Sequence, residues 1–436
     1  MSQIIADKYP NEEYPDKDNK TFCVLPFVHF HVDTDSTYKP CCVSDRGSAS
    51  VMGDVNKNTL EEIFNSEKMK QFRVDLLNGV KRPEICSTCY KAEDSNFTSY
   101  RTGMNDQLKR HIKPAIEAVQ PDGYMDPKLK SWDIRFSNLC NLKCRTCGPT
   151  YSTTHAKETK DHVGITFDDL IAFDSSRDPL EFQYEHVENI YFAGGEPMIM
   201  PEHYNTLKKL IEIGKAKDVV LYYNSNMTKL EYNKNYMPEY WKEFESVSLG
   251  MSIDAVGERA NYIRNGSVKW NKIEENIVKI QNYDNIHYFI GPAVSLLNAH
   301  HLTDIHKYFV ENSLIKSVDD INLNIVFEPA FYSVKLLSTK LKREIQEKVK
   351  QHFIWLEEQG ANEVTHARFQ TFYEYLGESF DKETEDKLLN NFIWTTVKKD
   401  SYRDEHFPDT FPEYKEWWEE ITEGKNTNLL EFTEIN

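Results

Sequence analysis

Trp132-Asp-Ile-Arg-Phe-Ser-Asn-Leu-Cys140-Asn-Leu-Lys-Cys144-Arg-Thr-Cys147 is the stretch that decides the fold, because a predicted strand runs here into three closely spaced cysteines. Thiolates are soft ligands that suit iron and sulfide, and a cubane cluster has four irons, so three cysteines leave one iron without a protein ligand. An open metal position is where chemistry takes place. Buried apolar cysteines or part of a zinc site are disfavoured, because the thiols are clustered and Asn, Lys and Arg stand between them.

This loop resembles the signature of the radical S-adenosylmethionine (SAM) superfamily, which has three cysteines at this spacing after the first strand of a partial barrel. The resemblance implies that Cys140, Cys144 and Cys147 hold a [4Fe-4S] cluster whose open iron chelates the amino and carboxylate groups of SAM. It further implies that one electron passes into the sulfonium, giving methionine and a 5′-deoxyadenosyl radical that abstracts a hydrogen from the substrate.

Composition limits the class of protein. The 436 residues predict two or three regions that share a sizeable core. A formal net charge of -18 argues against a broad phosphate-binding surface, so a nucleic-acid partner is not expected. The first residues lack the pattern of a signal peptide, and no run is long and apolar enough to span a bilayer. The expectation is therefore a soluble cytoplasmic protein without a membrane partner.

All eight cysteines fall in the first third of the chain. In a chain of this size, such a concentration of cysteines is more typical of reduced thiolates that bind metal than of a disulfide framework. Five of them form an N-terminal group: Cys23, Cys41, Cys42, Cys86 and Cys89.

The N-terminal group lies on a predicted hairpin and two flanking segments. Residues 1–21 are polar and are expected to form a flexible lead-in. The alternating segment 22–32 predicts a strand, a turn follows, and the hairpin would carry cysteines near both ends. Residues 59–77 have helical periodicity, and Cys86-x-x-Cys89 closes the unit.

This pattern resembles the twitch or SPASM auxiliary-cluster module of radical SAM enzymes, here assigned to residues 22–125. The resemblance implies that four cysteines, Cys23, Cys41, Cys86 and Cys89, bind one further [4Fe-4S] cluster. One cluster uses four of the five thiols, which favours a twitch module and leaves Cys42 as a neighbour or an alternative ligand. On spacing alone, a zinc site with four cysteine ligands is an alternative to the cluster. In relatives this module usually follows the barrel, whereas here it precedes it.

A second motif, Gly194-Gly195-Glu196-Pro197, follows a predicted strand some fifty residues after the cysteine loop. Paired glycines allow close backbone approach and positive φ, and Pro197 suits the first turn of a helix. The motif resembles the radical SAM loop whose backbone and glutamate contact the methionyl amino group of SAM. A purely structural turn is the alternative.

Polar side chains end the next two predicted strands, at Asn226, Ser252 and Asp254. In barrels of parallel strands, the active site collects at these ends. The resemblance assigns such positions to the ribose and methionine parts of SAM. Arg264 is a further candidate for a carboxylate contact, because guanidinium forks suit planar anions, with a surface salt bridge as its alternative.

Six strand-and-helix patterns between residues 126 and 332 predict an α/β fold, a partial (βα)6 TIM-like barrel that is the radical SAM core. An acidic insert spans residues 167–185. Residues 333–436 are expected to form a helical C-terminal extension, with helices near 341–359 and 384–397 and an aromatic tail that packs on the core.

The predicted function is that of a radical SAM enzyme with an auxiliary cluster that accepts an electron, for oxidation or cross-linking of a peptide or protein side chain. A small polyhydroxylated molecule is the alternative substrate, a tRNA is disfavoured by the charge, and a non-catalytic iron-sulfur electron carrier is the rival class. A one-electron donor such as flavodoxin or ferredoxin is the expected partner. No residue stands out as the acid or base.

Overall fold

The computed structural model describes residues 19–45, 47–94, 98–167 and 183–423. Most of the predicted lead-in and of the acidic insert, and the chain after residue 423, lie outside the described residues.

Two compact units divide the chain. The first comprises residues 1–139, 168–223 and 233–247, and the second comprises residues 140–167, 224–232 and 248–436. The first unit thus holds the whole predicted N-terminal module and strands predicted for the barrel. The domain limits 22–125, 126–332 and 333–436 stay predictions.

The strands are short. In chain order they are β1 (His29–Val32), β2 (Thr37–Lys39), β3 (Gly53–Asp54), β4 (Ser131–Ile134), β5 (Asn189–Phe192), β6 (Val220–Ser225), β7 (Glu231–Tyr232), β8 (Asn235–Tyr236), β9 (Ser246–Met251), β10 (Ile286–Ile290), β11 (Ala293–Val294) and β12 (Asn324–Ile325).

The helices lie before β4, between the later strands and after β12. They are α1 (Leu25–Val28), α2 (Leu60–Phe64), α3 (Glu67–Leu77), α4 (Pro83–Asp94), α5 (Tyr100–Gln107), α6 (Lys109–Ala118), α7 (Thr153–Val163), α8 (Pro201–Glu212), α9 (Met237–Trp241), α10 (Gly257–Ile263), α11 (Trp270–Ile280), α12 (Leu302–Glu311), α13 (Thr339–Glu358), α14 (Glu363–Tyr375), α15 (Lys382–Arg403), α16 (Phe407–Thr410) and α17 (Lys415–Thr422).

In the first unit, β4, β5 and β6 are parallel and in register, so that Trp132 lies opposite Ile190 and Ile190 opposite Leu221. These three side chains are buried. Because side chains alternate along a strand, the opposite face of the same strands is polar and includes Asp133 and Tyr222.

Different helices cover the two faces of this sheet. His203 of α8 packs on Phe192, with ring centroids 4.5 Å apart, and its Nε2 lies 2.7 Å from the Tyr223 hydroxyl. On the polar face, Gln107 of α5 lies 3.4 Å from the Tyr222 hydroxyl. A helix of the N-terminal module therefore lies against the polar face.

The N-terminal hairpin joins the same sheet. Strand β1 pairs in parallel with β4, placing His31 opposite Asp133, and in antiparallel fashion with β2. The prediction of one strand from residue 22 to 32 is wrong in its first half, because Leu25–Val28 is a helical turn with Pro26 in its first turn. A proline with its fixed φ suits that position.

In the second unit, β9 and β10 are neighbours, and the amide of Gly291 donates to the carbonyl of Met251 at 2.8 Å. The predicted fifth strand is interrupted after Ile290, and the sixth is reduced to the two residues of β12, which pairs in parallel with β11. Six strand segments, each followed by helical structure, are consistent with the predicted partial barrel.

The C-terminal region is helical, as predicted, although α14 was not anticipated. Its aromatic tail packs into a core: the ring of Phe407 lies 5.6 Å from that of Phe392 and 5.9 Å from that of Tyr414. In the part of the chain that the structure describes, none of the helices has the length and apolar character needed to cross a bilayer.

Candidate metal and cofactor sites

Four N-terminal thiols influence one another electrostatically in the first unit. Cys23 precedes α1, Cys41 follows β2, and Cys86 and Cys89 lie on α4, whose backbone is kinked at Cys86. Burial raises the pKa of the Cys23 thiol well above its usual value, and Cys41, Cys86 and Cys89 each add to that rise. Mutual effects of this kind require short separations, so the set predicted for the auxiliary cluster is brought together.

A zinc ion and an iron-sulfur cluster hold four cysteine ligands at different separations. Four thiolates on one zinc would lie about 3.8 Å apart, given Zn–S bonds of about 2.3 Å. Among the described residues, His300, His301 and Glu413 are the one group of three possible ligands with atoms all within 4.8 Å. Thiolates on different irons of a cubane stand farther apart than thiolates on one ion.

Cys42 belongs to a different set of contacts. Burial raises the pKa of its thiol, and Asp133 is the charged neighbour that raises it most. Tyr100 of α5 hydrogen-bonds to the Cys42 thiol. Burial raises the pKa of Tyr100, and the Cys42 thiol adds to that rise. Its side chain therefore faces the polar side of the sheet.

A buried ion pair on that face was missed by the sequence analysis. His31 Nδ1 lies 3.1 Å from an Asp133 oxygen, and Arg135 Nε lies 3.7 Å from the other. Burial alone would raise the pKa of Asp133, but His31 and Arg135 bring it down to about 2. The pair follows from the register of β1 on β4, which no local pattern indicated.

The Gly194-Gly195 turn is packed against the chain itself. Gly194 has φ +106°, as the prediction of positive φ required, and a Cβ on Gly195 would overlap the carbonyl of Leu139. The amides of Gly195 and Glu196 donate to the carbonyls of Ser137 and Leu139 at 3.2 and 2.8 Å. The turn is thus fixed to the residues immediately before Cys140.

Glu196 is 1% exposed, and its carboxylate accepts a hydrogen bond from the amide of Met198 at 3.2 Å. It thereby caps the short helical turn that begins at Pro197. Its assignment to the amino group of SAM stays a prediction.

In the second unit, backbone and side-chain contacts hold the cysteine loop on two sides. Thr154 of α7 donates to the carbonyl of Cys140 at 2.6 Å. The amides of Lys143 and Arg145 donate to the carbonyls of Asn265 and Ile263, both at 2.8 Å. These bonds fix the positions of the cysteines along the loop.

Two predicted cofactor residues of the second unit lie next to thiols. Asn226 Nδ2 is 3.9 Å from the Sγ of Cys140, and Arg264 Nη1 is 3.8 Å from the Sγ of Cys144. Burial raises the pKa of Cys144 to about 11, and Arg264 is the first group that lowers it. Donors at this range favour the thiolate form that binds metal.

Arg264 also pairs with Asp254, at 2.7 Å, and the carboxylate of Asp254 is fully buried. The salt bridge considered for Arg264 therefore exists, but inside the unit and not on its surface. The second oxygen of Asp254 accepts from the amide of Ala293 at 2.7 Å. Ser252 is half-buried, and its amide donates to the carbonyl of Ser225 at 2.8 Å.

A network of buried charges behind the cysteine loop was also missed. The side chain of Arg145 lies between Asp400 and Glu405, at 2.5 and 2.6 Å, and over the ring of Tyr262. The sequence shows Arg145 between the cysteines, but its two carboxylate partners lie more than 250 residues away in sequence.

The residues present fit the groups that the resemblance implies. Three thiols on one loop, with amide and guanidinium donors near two of them, suit an iron-sulfur cluster with an open position. Cys23, Cys41, Cys86 and Cys89 supply four ligands, a closed set.

Comparisons with known proteins give one family match and several distant structural matches. No curated protein matches the chain in sequence. Among solved structures, anSMEcpe with bound AdoMet is similar at 20% identity, with a TM-score of 0.39, over 53% of this chain and 59% of that one. Streptococcus suis SuiB bound to S-adenosylmethionine is similar at 12% identity, with a TM-score of 0.36, over 64% and 63%. SuiB bound to precursor peptide SuiA is similar at 13% identity, with a TM-score of 0.35, over 70% of this chain and 63% of that one.

These TM-scores are too low to define the fold, and the chain spans between 59% and 63% of the length of those structures. The SPASM family, an iron-sulfur cluster-binding domain, matches residues 23–90, a segment that contains all five N-terminal cysteines. The resemblance of the N-terminal module to an iron-sulfur domain of the SPASM type is thereby confirmed for residues 23–90.

Proposed function

We propose that this chain is a radical SAM enzyme with two [4Fe-4S] clusters. Cys140, Cys144 and Cys147 would hold the cluster that binds SAM, and the four N-terminal cysteines would hold the auxiliary cluster. The observation that carries the proposal is the cysteine loop, where Asn226 and Arg264 place donors within 3.9 Å of two thiols.

When bound, the cluster and SAM supply one-electron cleavage of the sulfonium and abstraction of a substrate hydrogen. The residues of the chain hold and orient the cofactor. By the resemblance, the motif Gly194-Gly195-Glu196-Pro197 would contact the methionyl amino group of SAM. Asn226, Ser252 and Asp254 would contact its ribose and methionine parts. Asp254 fixes the guanidinium of Arg264 beside Cys144, which limits Arg264 to one orientation.

The substrate we propose is a peptide or protein side chain that is oxidised or cross-linked. A four-ligand auxiliary site leaves no iron open for the substrate, which favours electron transfer over direct binding. The SPASM-type match supports such a site at residues 23–90. Flavodoxin or ferredoxin would supply the first electron.

Anaerobic reconstitution followed by reduction with SAM tests the enzyme proposal. We expect about eight irons per chain, as two cubanes require, and formation of 5′-deoxyadenosine. The Cys144→Ala variant should lose both that product and about half of the iron. Undiminished product in this variant, or none from the wild type under any reducing condition, contradicts the proposal and leaves the electron-carrier class.

The substrate class is tested with deuterium. Cells grown in heavy water yield a peptide fraction and a small-molecule fraction, each of which is offered to the reconstituted enzyme. Deuterium in 5′-deoxyadenosine is expected with the peptide fraction. Incorporation with the small-molecule fraction alone would replace the peptide proposal with the small-molecule alternative.

A further inference from the structure

Helix α15, near the C-terminus, binds the backbone of the cysteine loop within the second unit. Arg403 donates to the carbonyl of Lys143 at 3.0 Å. Lys399 lies one helical turn earlier and donates to the carbonyl of Arg145 at 3.4 Å. Two cationic residues of one helix thus contact the loop between its cysteines.

Most of the buried cations near the loop are neutralised by carboxylates. Arg403 pairs with Glu158 at 2.6 Å. Arg145 pairs with Asp400 and Glu405, and Arg264 pairs with Asp254. Lys399 differs, although it is only 7% exposed. Its second contact is His155 Nε2 at 3.3 Å, and in the described ranges no carboxylate oxygen lies within 4.0 Å of its amine.

A buried ammonium without a close carboxylate is costly unless another anion stands nearby. The amine of Lys399 lies 3.4 Å from the carbonyl of Arg145, the residue that directly follows Cys144 and stands two before Cys147. Burial and the neighbouring Arg403 and Arg145 lower the pKa of Lys399, and Glu158 is the first group that raises it. A cluster held by the thiolates of this loop would add an anion on the side of the Arg145 carbonyl.

We propose that Lys399 is the buried counter-charge of the cluster at Cys140, Cys144 and Cys147 and raises its reduction potential. This inference rests on the proposed function. Adding an electron to a site of three thiolates makes it more negative, and a fixed cation in a water-excluded place stabilises that state more than the oxidised one. Lys399 is thus a positioning residue that acts through the cluster, without touching SAM or substrate.

An anaerobic redox titration of the reconstituted protein, followed by electron paramagnetic resonance, tests this directly. The signal that is absent from Cys144→Ala identifies the loop cluster. Lys399→Met and Lys399→Gln should lower its equilibrium constant for reduction by about tenfold, which is a shift of about 59 mV for one electron. Lys399→Arg keeps the charge and should stay near the wild-type value.

The adjacent Lys398 is exposed on the same helix, and Lys398→Met is the matched control, with no shift expected. An unshifted Lys399→Met, or a Lys399→Arg shifted equally, overturns the inference, because packing and not charge would then be at work. If Lys399→Met does not retain iron, Lys399→Gln decides.

The outcome is separable from that of the proposed function. A loop cluster with a potential independent of residue 399, in a protein that forms 5′-deoxyadenosine, overturns this inference alone. A Lys399-dependent potential without any 5′-deoxyadenosine overturns the enzyme proposal alone. Absence of a Cys144-dependent signal in the wild type overturns both.

Discussion

Gly195 and Leu139 are in backbone contact: the Glu196 amide binds the carbonyl of Leu139 at 2.8 Å, and Gly195 has no room for a Cβ above that carbonyl. The contact joins the Gly-Gly-Glu-Pro turn to the residue that precedes the first cysteine of the loop. The turn is therefore held to the backbone of residue 139.

We predict that Gly195→Ala displaces this turn. The added methyl group meets backbone on both Leu139 and Asn138, which cannot yield as a flexible side chain would. We expect a loss of about 1 to 3 kcal/mol in the free energy of unfolding, measured with urea under anaerobic conditions, and weaker SAM binding by equilibrium dialysis.

Gly103→Ala is the matched control, since Gly103 lies within α5 with nothing within 4 Å of a Cβ. A helical Gly→Ala change should be neutral or stabilise by up to about 1 kcal/mol. Equal destabilisation by both substitutions would contradict the prediction that the methyl group on residue 195 displaces the turn.

Neighbouring cysteines should respond differently to replacement. Cys41→Ala removes a thiol that faces Cys23 and Cys86, so about four irons per chain should be lost. Cys42→Ala removes a thiol that faces Asp133 and should leave the iron content unchanged. Iron and sulfide assays after anaerobic reconstitution measure both. Loss of iron in Cys42→Ala would make Cys42 a ligand.

The pair of Arg264 and Asp254 predicts a strong coupling. Arg264→Met leaves a fully buried carboxylate unpaired, which typically costs about 3 to 5 kcal/mol in the free energy of unfolding. Asp254→Asn in the same chain removes that charge and keeps an acceptor for Ala293, so part of the stability should return.

Urea unfolding of the two single variants and the double variant measures this coupling. The exposed pair Lys272 and Glu275 on α11 is the control, and Lys272→Met should cause no measurable loss. Strict additivity of the Arg264 and Asp254 substitutions would show that the two groups do not interact.

A buried histidine pair predicts loss of stability in acid. His306 Nε2 lies 2.8 Å from the carbonyl of Val318, so it carries the proton, and Nδ1 accepts from His352 Nε2 at 3.0 Å. Burial lowers the pKa of His306 to about 4 and that of His352 to about 2, against 6.5 ordinarily. Between about pH 4 and 6.5, the unfolded chain therefore binds more protons than the folded one.

Stability should fall as the pH is lowered through that window, by at most about 1.4 kcal/mol per pH unit for each histidine. Urea unfolding at several pH values should give a shallower pH dependence for His306→Leu/His352→Phe than for the wild type. His287→Leu changes an exposed histidine and should keep the wild-type slope. An unaltered slope in the double variant would contradict the prediction.

Local features of the fold were predictable where one short segment carries the whole pattern. The limits of β4, β5, β6 and β9 agree with their apolar runs to within a few residues. The Gly-Gly-Glu-Pro turn follows its strand as expected, because glycine and proline restrict the backbone locally.

Features that depend on distant partners were not predictable. The parallel pairing of β1 with β4 joins segments about 100 residues apart, and it decides that His31 meets Asp133. In the same way, nothing near Arg145 indicates Asp400, which approaches only when α15 packs on the cysteine loop. The helical turn at Leu25–Val28 overrode a sequence rich in β-forming residues, because tertiary packing outweighs local propensity.

The place of β1 in the sheet has a consequence for synthesis on the ribosome. The strand emerges early, but its parallel neighbour β4 is made only after about 100 more residues. Until then, β2 is the one partner strand of β1 among the described residues, and the other edge of β1 exposes unpaired amides and carbonyls. The nascent chain therefore has to keep this edge from pairing with other chains, and a truncated chain that ends before residue 131 is expected to aggregate.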